Sequence, residues 1–233
     1  MISRKESFRS STTTAEMKQK SLFLQSEGDA WHARNHQAVA NRQLPDSDAL
    51  LQAVIDLIPV SGGGVKILEV GCGDGTRLAW LKNNFKVDCF GIEPSAQAVA
   101  SARIKGLEVQ QGTADSLPFM DGNFDIVIFG FCLYLCDRED LFQIAKEADR
   151  VLKAPGWLVL LDFYSPVPRS NPYHHRPGIQ SYKMDYRTLF TWHPHYECIG
   201  HKVTEQGGQQ HTDLADKWVA VSVLRKCQPA SPI

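Results

Sequence analysis

Long apolar runs are missing from this chain: nowhere in its 233 residues does a stretch reach the roughly 18 consecutive apolar side chains that a membrane-spanning helix needs. A basic excess is missing too. Lys and Arg number 25 against 26 Asp and Glu, a formal net charge of -1, which argues against nucleic acid as a main partner. The first twenty residues, "MISRKESFRSSTTTAEMKQK", lack the apolar centre of a secretion signal. These absences predict a cytoplasmic protein with neither membrane nor nucleic acid as a partner.

Cysteine is sparse and scattered. Cys72, Cys89, Cys132, Cys136, Cys198 and Cys227 form no disulfide pattern, and several sit in apolar runs where a free thiol acts as a small hydrophobe. Cys132 and Cys136 have the spacing of half a zinc site, but no second Cys or His pair follows at finger spacing, so no metal is expected. Two glycine signatures are also absent. There is no G-x-x-x-x-G-K-[ST] for a nucleoside triphosphate, and in "GCGDGT" Thr76 stands where the third glycine of a dinucleotide fingerprint would be.

What is present alternates. The apolar runs at 65–70, 86–93, 107–112, 124–131 and 156–163 are separated by helical patterns such as "GTRLAWLKNN" and "REDLFQIAKEADRVLK". Nearly continuous apolar strands joined by helices signal a parallel sheet covered on both faces. The last part of the chain, from "CIGHKV" to "KWVAVSVLR", reads as a hairpin added to that sheet. The expected fold is α/β, doubly wound, with a mostly parallel seven-stranded sheet and a C-terminal antiparallel strand. Residues 1–45 are expected to form a flexible N-terminus, loose over about its first 14 residues, followed by helices outside the core. Gly28 is read as a break between two of those helices, with Asp29 capping the second. Asp46 or Ser47 is read as the cap of the next helix, which opens the main domain at 46–227. Within that domain, 164–200 is an insert after the fifth strand, rich in proline, aromatics and histidine.

In a doubly wound sheet, ligands bind beyond the carboxyl ends of the strands, where strand order reverses. After the first strand, Gly71, Gly73 and Gly75 permit a tight turn and close backbone approach to a ligand. The second strand ends at Glu93, placed as an acid that meets the two hydroxyls of a ribose. Glu69, two residues before the first glycine, would repel a pyrophosphate but suit an ammonium or sulfonium group.

The segments "ILEVGCGDGTRLAWL", "GIEPS", "GTADSLPFMDGNFDIVIFGFCLYL" and "EADRVLKAPGWLVLLDF" span 65–163 in order, and together they resemble the class I, Rossmann-type S-adenosylmethionine-dependent methyltransferases of small-molecule type. The resemblance implies that S-adenosyl-L-methionine is the cofactor. It sets Glu69, Gly71, Gly73 and Gly75 along the methionine part, Glu93 on the ribose and Pro94 beside the adenine. It brings Ala114, Asp115 and Ser116 to the adenine edge, and Phe129, Gly130 and Phe131 beneath the methionine and sulfonium. Asp115 also fits a simple turn cap.

The acceptor site is expected from the parts outside the core: the N-terminal helices as a lid, and the insert. Substrate-side candidates are Trp31, Tyr134, Tyr173 and Arg176, with packing as the other role open to Trp31 and Tyr134. His174 and His175 in "NPYHHRPG" are candidate general bases, because histidine titrates near working pH; surface histidines are the plain alternative. The polar insert suggests methylation on oxygen or nitrogen of a small polar metabolite, such as a sugar or glycan precursor. The competing expectation is a non-catalytic S-adenosylmethionine-binding scaffold.

Overall fold

The structure is a computed structural model that describes residues 18–59, 63–206 and 215–228. The expected loose extension over the first 14 residues lies outside that range. Its strands are β1 (Val65–Val70), β2 (Val87–Glu93), β3 (Glu108–Gln111), β4 (Phe124–Gly130), β5 (Leu152–Phe163), β6 (Arg169–Pro172), β7 (Gln180–Lys183), β8 (Tyr196–Glu205) and β9 (Trp218–Lys226). Seven of them form one sheet in the order β3-β2-β1-β4-β5-β9-β8, while β6 and β7 pair separately. The β1–β2, β1–β4, β2–β3 and β4–β5 pairs are parallel; β9 runs antiparallel to both β5 and β8. The expected α/β class, strand number and antiparallel C-terminal strand are all present.

Strand order reverses between β1 and β4, and their apolar runs are continuous because both faces are covered. Alternation along β4 and β5 shows this: Val127, Phe129, Leu158 and Leu160 enter one core, and Ile126, Ile128, Val159 and Leu161 the other. The first core is roofed by α6 (Leu141–Val151), whose Leu141, Ile144, Ala145, Ala148 and Val151 fall on one helical face. The second lies under α3 (Ala49–Ile55), α4 (Thr76–Asn84) and α5 (Ala96–Ile104). Among the described residues no helix is long and apolar enough to cross a membrane.

Local expectations gave way to tertiary contacts at several points. Gly28 does not break the N-terminal helices: α1 (Gln19–Leu22) runs through a π-helical turn, Phe23–Glu27, into α2 (Gly28–Ala40). A Cβ at Gly28 would stand 2.7 Å from the Phe23 carbonyl oxygen and 3.0 Å from the Ser95 backbone nitrogen, so this glycine lets α2 press against the start of α5. Asp29 serves α5 instead of its own helix, accepting from Ser95 Oγ at 2.6 Å and the Gln97 amide at 3.1 Å. The cap of α3 is Asp48, which accepts from the Leu51 amide at 3.0 Å, in place of Asp46 or Ser47. In the insert, the β6–β7 ribbon and the short α7 (Thr188–Thr191) replace irregular chain, and β8 begins before residue 200.

Gly28→Ala separates packing from propensity. An exposed helix would gain about 1 kcal/mol from alanine, whereas the seat on α5 predicts a loss of about 1–3 kcal/mol from overpacking. Urea unfolding of the two proteins decides the sign.

Candidate active site

A cavity of about 780 Å³ opens beyond the carboxyl ends of β1, β2 and β4, near the upper end of the roughly 300–1,000 Å³ usual for small-molecule sites. Its floor is the glycine loop. The Gly71 amide donates to the Ile92 carbonyl at 2.8 Å, and a Cβ there would come 2.9 Å from Cys132 Cβ, so the loop is pressed between β2 and the chain after β4. Gly73, at φ +55°, faces open space: a Cβ on it would meet nothing within 4 Å. Gly75 does not line the cavity. It holds φ +70° at the start of α4, where a Cβ would run into Leu107 at 2.3 Å, and its role is packing. Thr76, in the third glycine's place, donates its hydroxyl to Asp74 Oδ1 at 2.7 Å, and Lys105 holds the other oxygen of Asp74 at 2.7 Å.

Glu69 lies behind this loop, fully buried and outside the cavity wall. Its Oε1 pairs with Arg77 Nη1, and Arg77 Nε donates to Asp48 Oδ2 at 2.7 Å. Oε2 of Glu69 is buried with no hydrogen-bond partner among the described residues. Burial raises the Glu69 pKa against the pull of Arg77; burial also works against the Arg77 charge, but the two carboxylates overcome it and raise its pKa.

Glu93 closes β2 and reaches the cavity wall. Its two oxygens accept one amide each, from Gly73 at 2.9 Å and Ser95 at 3.0 Å, which fixes the carboxyl in place. Burial pushes its pKa up to about 7, with those two amides acting the other way. Each oxygen keeps a further lone pair for a ligand hydroxyl. Pro94, Ala114 and Asp115 continue the same wall. Asp115 accepts from Thr113 Oγ1 at 2.7 Å and pairs with Lys20 Nζ; burial opposes its ionisation, yet these partners bring its pKa below the usual value. Ser116 is exposed and lies outside the wall, which the four residues before it, Gly112 to Asp115, help to form. Phe129 is fully buried in the first core, so it is Gly130 and Phe131 that line the cavity. Phe131 holds φ +55°, a left-handed conformation costly for a ring-bearing residue, and its amide is tied to the Leu161 carbonyl at 2.7 Å.

The other end of the cavity is formed by Trp31, Tyr134, Tyr173, His174 and His175, joined by Phe163, Tyr182 and Lys183. His174 and His175 are exposed at the rim, with ring centres 4.7 Å apart. Tyr173 accepts from Arg34 at 3.0 Å. Arg176 does not line the cavity; it points away to Ser26 Oγ at 2.6 Å. Trp192, His193 and His195, further along the insert, also lie outside it.

Three participants were not singled out from the sequence. Lys20 bridges Asp115 and Asp140, the latter at 2.7 Å, and so holds α1 across the cavity. Gln19 is buried and spans two segments, donating from Nε2 to the Leu135 carbonyl at 2.9 Å while its Oε1 accepts from the Gln180 amide at 2.6 Å. Asp162, at the end of β5, accepts from the Leu133 and Tyr134 amides at 2.8 and 3.3 Å and thereby sets Tyr134 in the wall. Burial lifts its pKa to about 7. A buried acid just before the end of an apolar strand was the signal available for Asp162; Gln19 and Lys20 carry no local signal at all.

A parallel sheet with reversed strand order, a glycine loop after β1 and an acid ending β2 define a Rossmann-type site for an adenosine-containing molecule. Residues 68–160 match the family described as a methyltransferase domain. It is 36% identical over 110 residues to the uncharacterized methyltransferase YcgJ of Bacillus subtilis, covering 43% of this chain and 42% of that protein. It is 36% identical over 104 residues to a fatty-acid O-methyltransferase of Mycolicibacterium smegmatis, covering 42% and 37% respectively. These matches span less than half the length of either relative. The fold resembles that of a Burkholderia thailandensis 1,6-didemethyltoxoflavin-N1-methyltransferase solved with 1,6-didemethyltoxoflavin and S-adenosylhomocysteine, at TM-score 0.64, 13% identity and 91% coverage of both chains.

Glu93 leaves a pH signature. A buried acid with a raised pKa binds its proton more tightly folded than unfolded, so it contributes stability at low pH that is lost as pH rises from about 4.5 through about 7. The loss amounts to on the order of 3 kcal/mol. In urea unfolding at pH 5 and pH 8, Glu93→Gln is expected to fall less than the wild type between the two values. Equal falls would remove Glu93 from this account.

Proposed function

We propose that this protein is an S-adenosylmethionine-dependent methyltransferase acting on oxygen or nitrogen of a small-molecule acceptor. The observation that carries the reading is Glu93: an acid at the end of β2, fixed by two amides, one of them from the glycine loop, and reaching the cavity beside that loop. Such a carboxyl accepts from both hydroxyls of a ribose. The open face of Gly73 leaves room for a ligand to lie against the loop.

On this reading Gly71 and Gly73 carry the methionine part and Gly130 lies beneath the sulfonium. Pro94 and Ala114 flank the adenine, and Asp115 reads its edge while Lys20 neutralises the carboxylate. Glu69 acts from behind, positioning the loop through Arg77, and Gly75 acts through packing. The bound cofactor supplies an electrophilic methyl group. The chain aligns the acceptor for in-line attack and excludes water with α1 and α2 as a lid. Where the acceptor must lose a proton, His174 or His175 at the rim takes it.

Calorimetry with S-adenosylhomocysteine tests the cofactor site, and absence of binding rejects the proposal. Glu93→Ala is expected to weaken that binding by at least tenfold, since each hydrogen bond to a charged group contributes about 1.5–3 kcal/mol. His174→Ala and His175→Ala are expected to leave cofactor affinity alone, and one of them to lower turnover by about 10²–10⁴ if it is the base. Binding without turnover on any acceptor would favour a scaffold.

A further inference from the structure

The two ends of the cavity differ in chemistry. At the Glu93 end the wall offers carboxylates and backbone amides. At the other end Trp31, Phe131, Tyr134, Phe163, Tyr173 and Tyr182 line one continuous space, and four of them, Trp31, Phe131, Phe163 and Tyr182, are only half-buried although they face inward. Tyr134 meets Phe163 edge-on at 4.9 Å between ring centres and 69° between planes, and Phe131 lies 5.3 Å from Phe163. Asp162 holds the backbone of Tyr134, and the Leu161 carbonyl holds that of Phe131, so this arrangement of rings is set before any ligand arrives.

The charges at this end are already committed. Lys183 Nζ donates to the Asp216 carbonyl and sits 5.6 Å from the Phe163 ring centre. Arg34 pairs with Glu27 at 2.5 Å and donates to Tyr173, and Lys20 is held by Asp115 and Asp140. Arg176, the cation that made the insert look suited to a polar acceptor, points away. A phosphate or carboxylate would find each of these cations already paired; Asn35, Asn171, His174, His175 and Ser181 add some polar groups to the lining, but a sugar would still lose water from many hydroxyls to a wall that carries six aromatic rings. A flat ring loses little on desolvation and gains offset and edge-to-face contacts with a preset aromatic wall.

We infer that the acceptor is a planar aromatic compound bearing a hydroxyl or ring nitrogen, packed against the aromatic wall that Phe131, Tyr134 and Phe163 form together, with Trp31 beside it. This rests on the methyltransferase reading above and names its acceptor class.

The test uses the full chain saturated with S-adenosylhomocysteine, whose own binding is measured first by calorimetry. The probes are 2-naphthol, decahydro-2-naphthol of similar size but puckered, glucose and lauric acid. Naphthol is expected to bind at least about tenfold more tightly than its saturated counterpart, and glucose and laurate more weakly still. Phe163→Leu keeps apolar volume and removes a ring; it should weaken naphthol by about three- to tenfold, the scale of lost ring–ring contacts, and leave S-adenosylhomocysteine affinity unchanged. If S-adenosylhomocysteine binds but the saturated alcohol, laurate or glucose equals or exceeds naphthol, the aromatic acceptor is wrong and the methyltransferase reading stands. If S-adenosylhomocysteine itself does not bind, both fall. Should Phe163→Leu fail to fold, Trp31→Leu on α2 supplies the same comparison, and naphthol affinity unmoved in a folded variant overturns the inference.

Discussion

Arg77 is the tie on which the rest of the site depends. It is nine-tenths buried in the first turn of α4, and its guanidinium joins Glu69 on β1 to Asp48 at the start of α3. Three elements and the glycine loop between them are thus held by one planar cation, which offers donors in a fixed fork. A buried ion pair of this kind adds little net stability against a well-packed apolar substitute, but removing one partner strands a charge at a cost of about 3–5 kcal/mol. Its value here is geometric. Gly130 shows how closely the surroundings are fitted to it: a Cβ there would stand 2.7 Å from Arg77 Nη1. The glycine at the end of β4 is thus as much a space for the arginine below as an opening to the cavity above.

That arrangement divides labour between floor and cover. The floor, built on β1, β2 and β4, is rigid, nearly fully buried and hydrogen-bonded through backbone amides. The cover is made by α1, α2 and the β6–β7 ribbon, held by exposed or half-exposed ion pairs and a few side-chain bonds. Exposed pairs contribute little each, so the cover is the weaker part. Chemical selectivity follows the same line: the fixed floor suits an invariant cofactor, and the cover, made of chain outside the repeating pattern, suits whatever acceptor this protein handles.

Much of the floor could be read from the sequence, because each strand carries its own continuous apolar run and each loop residue its own backbone demand. Position alone marked Glu93 and Gly73, and both line the cavity. Of the segment Phe129, Gly130 and Phe131, strand alternation sends the Phe129 side chain into the core, while Gly130 and Phe131 reach the cavity. Asp48 was hidden among three neighbours, Asp46, Ser47 and Asp48, all able to cap a helix; only the pairing with Arg77 selects one. Gly28 looked like a breaker because its reason for being glycine lies on α5, sixty-seven residues further on. Lys20 and Gln19 sit in a polar stretch with nothing local to mark them, and their partners are more than ninety residues away. Apart from the alternation at Phe129, what escaped the sequence was a contact between segments far apart in the chain.

Gln19 has a consequence of its own. Its single side chain accepts from β7 and donates to the turn after β4, while its neighbour Lys20 grips Asp115 and Asp140. The helix and the ribbon are therefore fastened to each other as well as to the floor, and neither can swing aside alone without breaking the other's bonds. Entry and exit become one concerted event, in which both halves of the cover let go together. A molecule leaving the cavity waits on the same opening that admits the next.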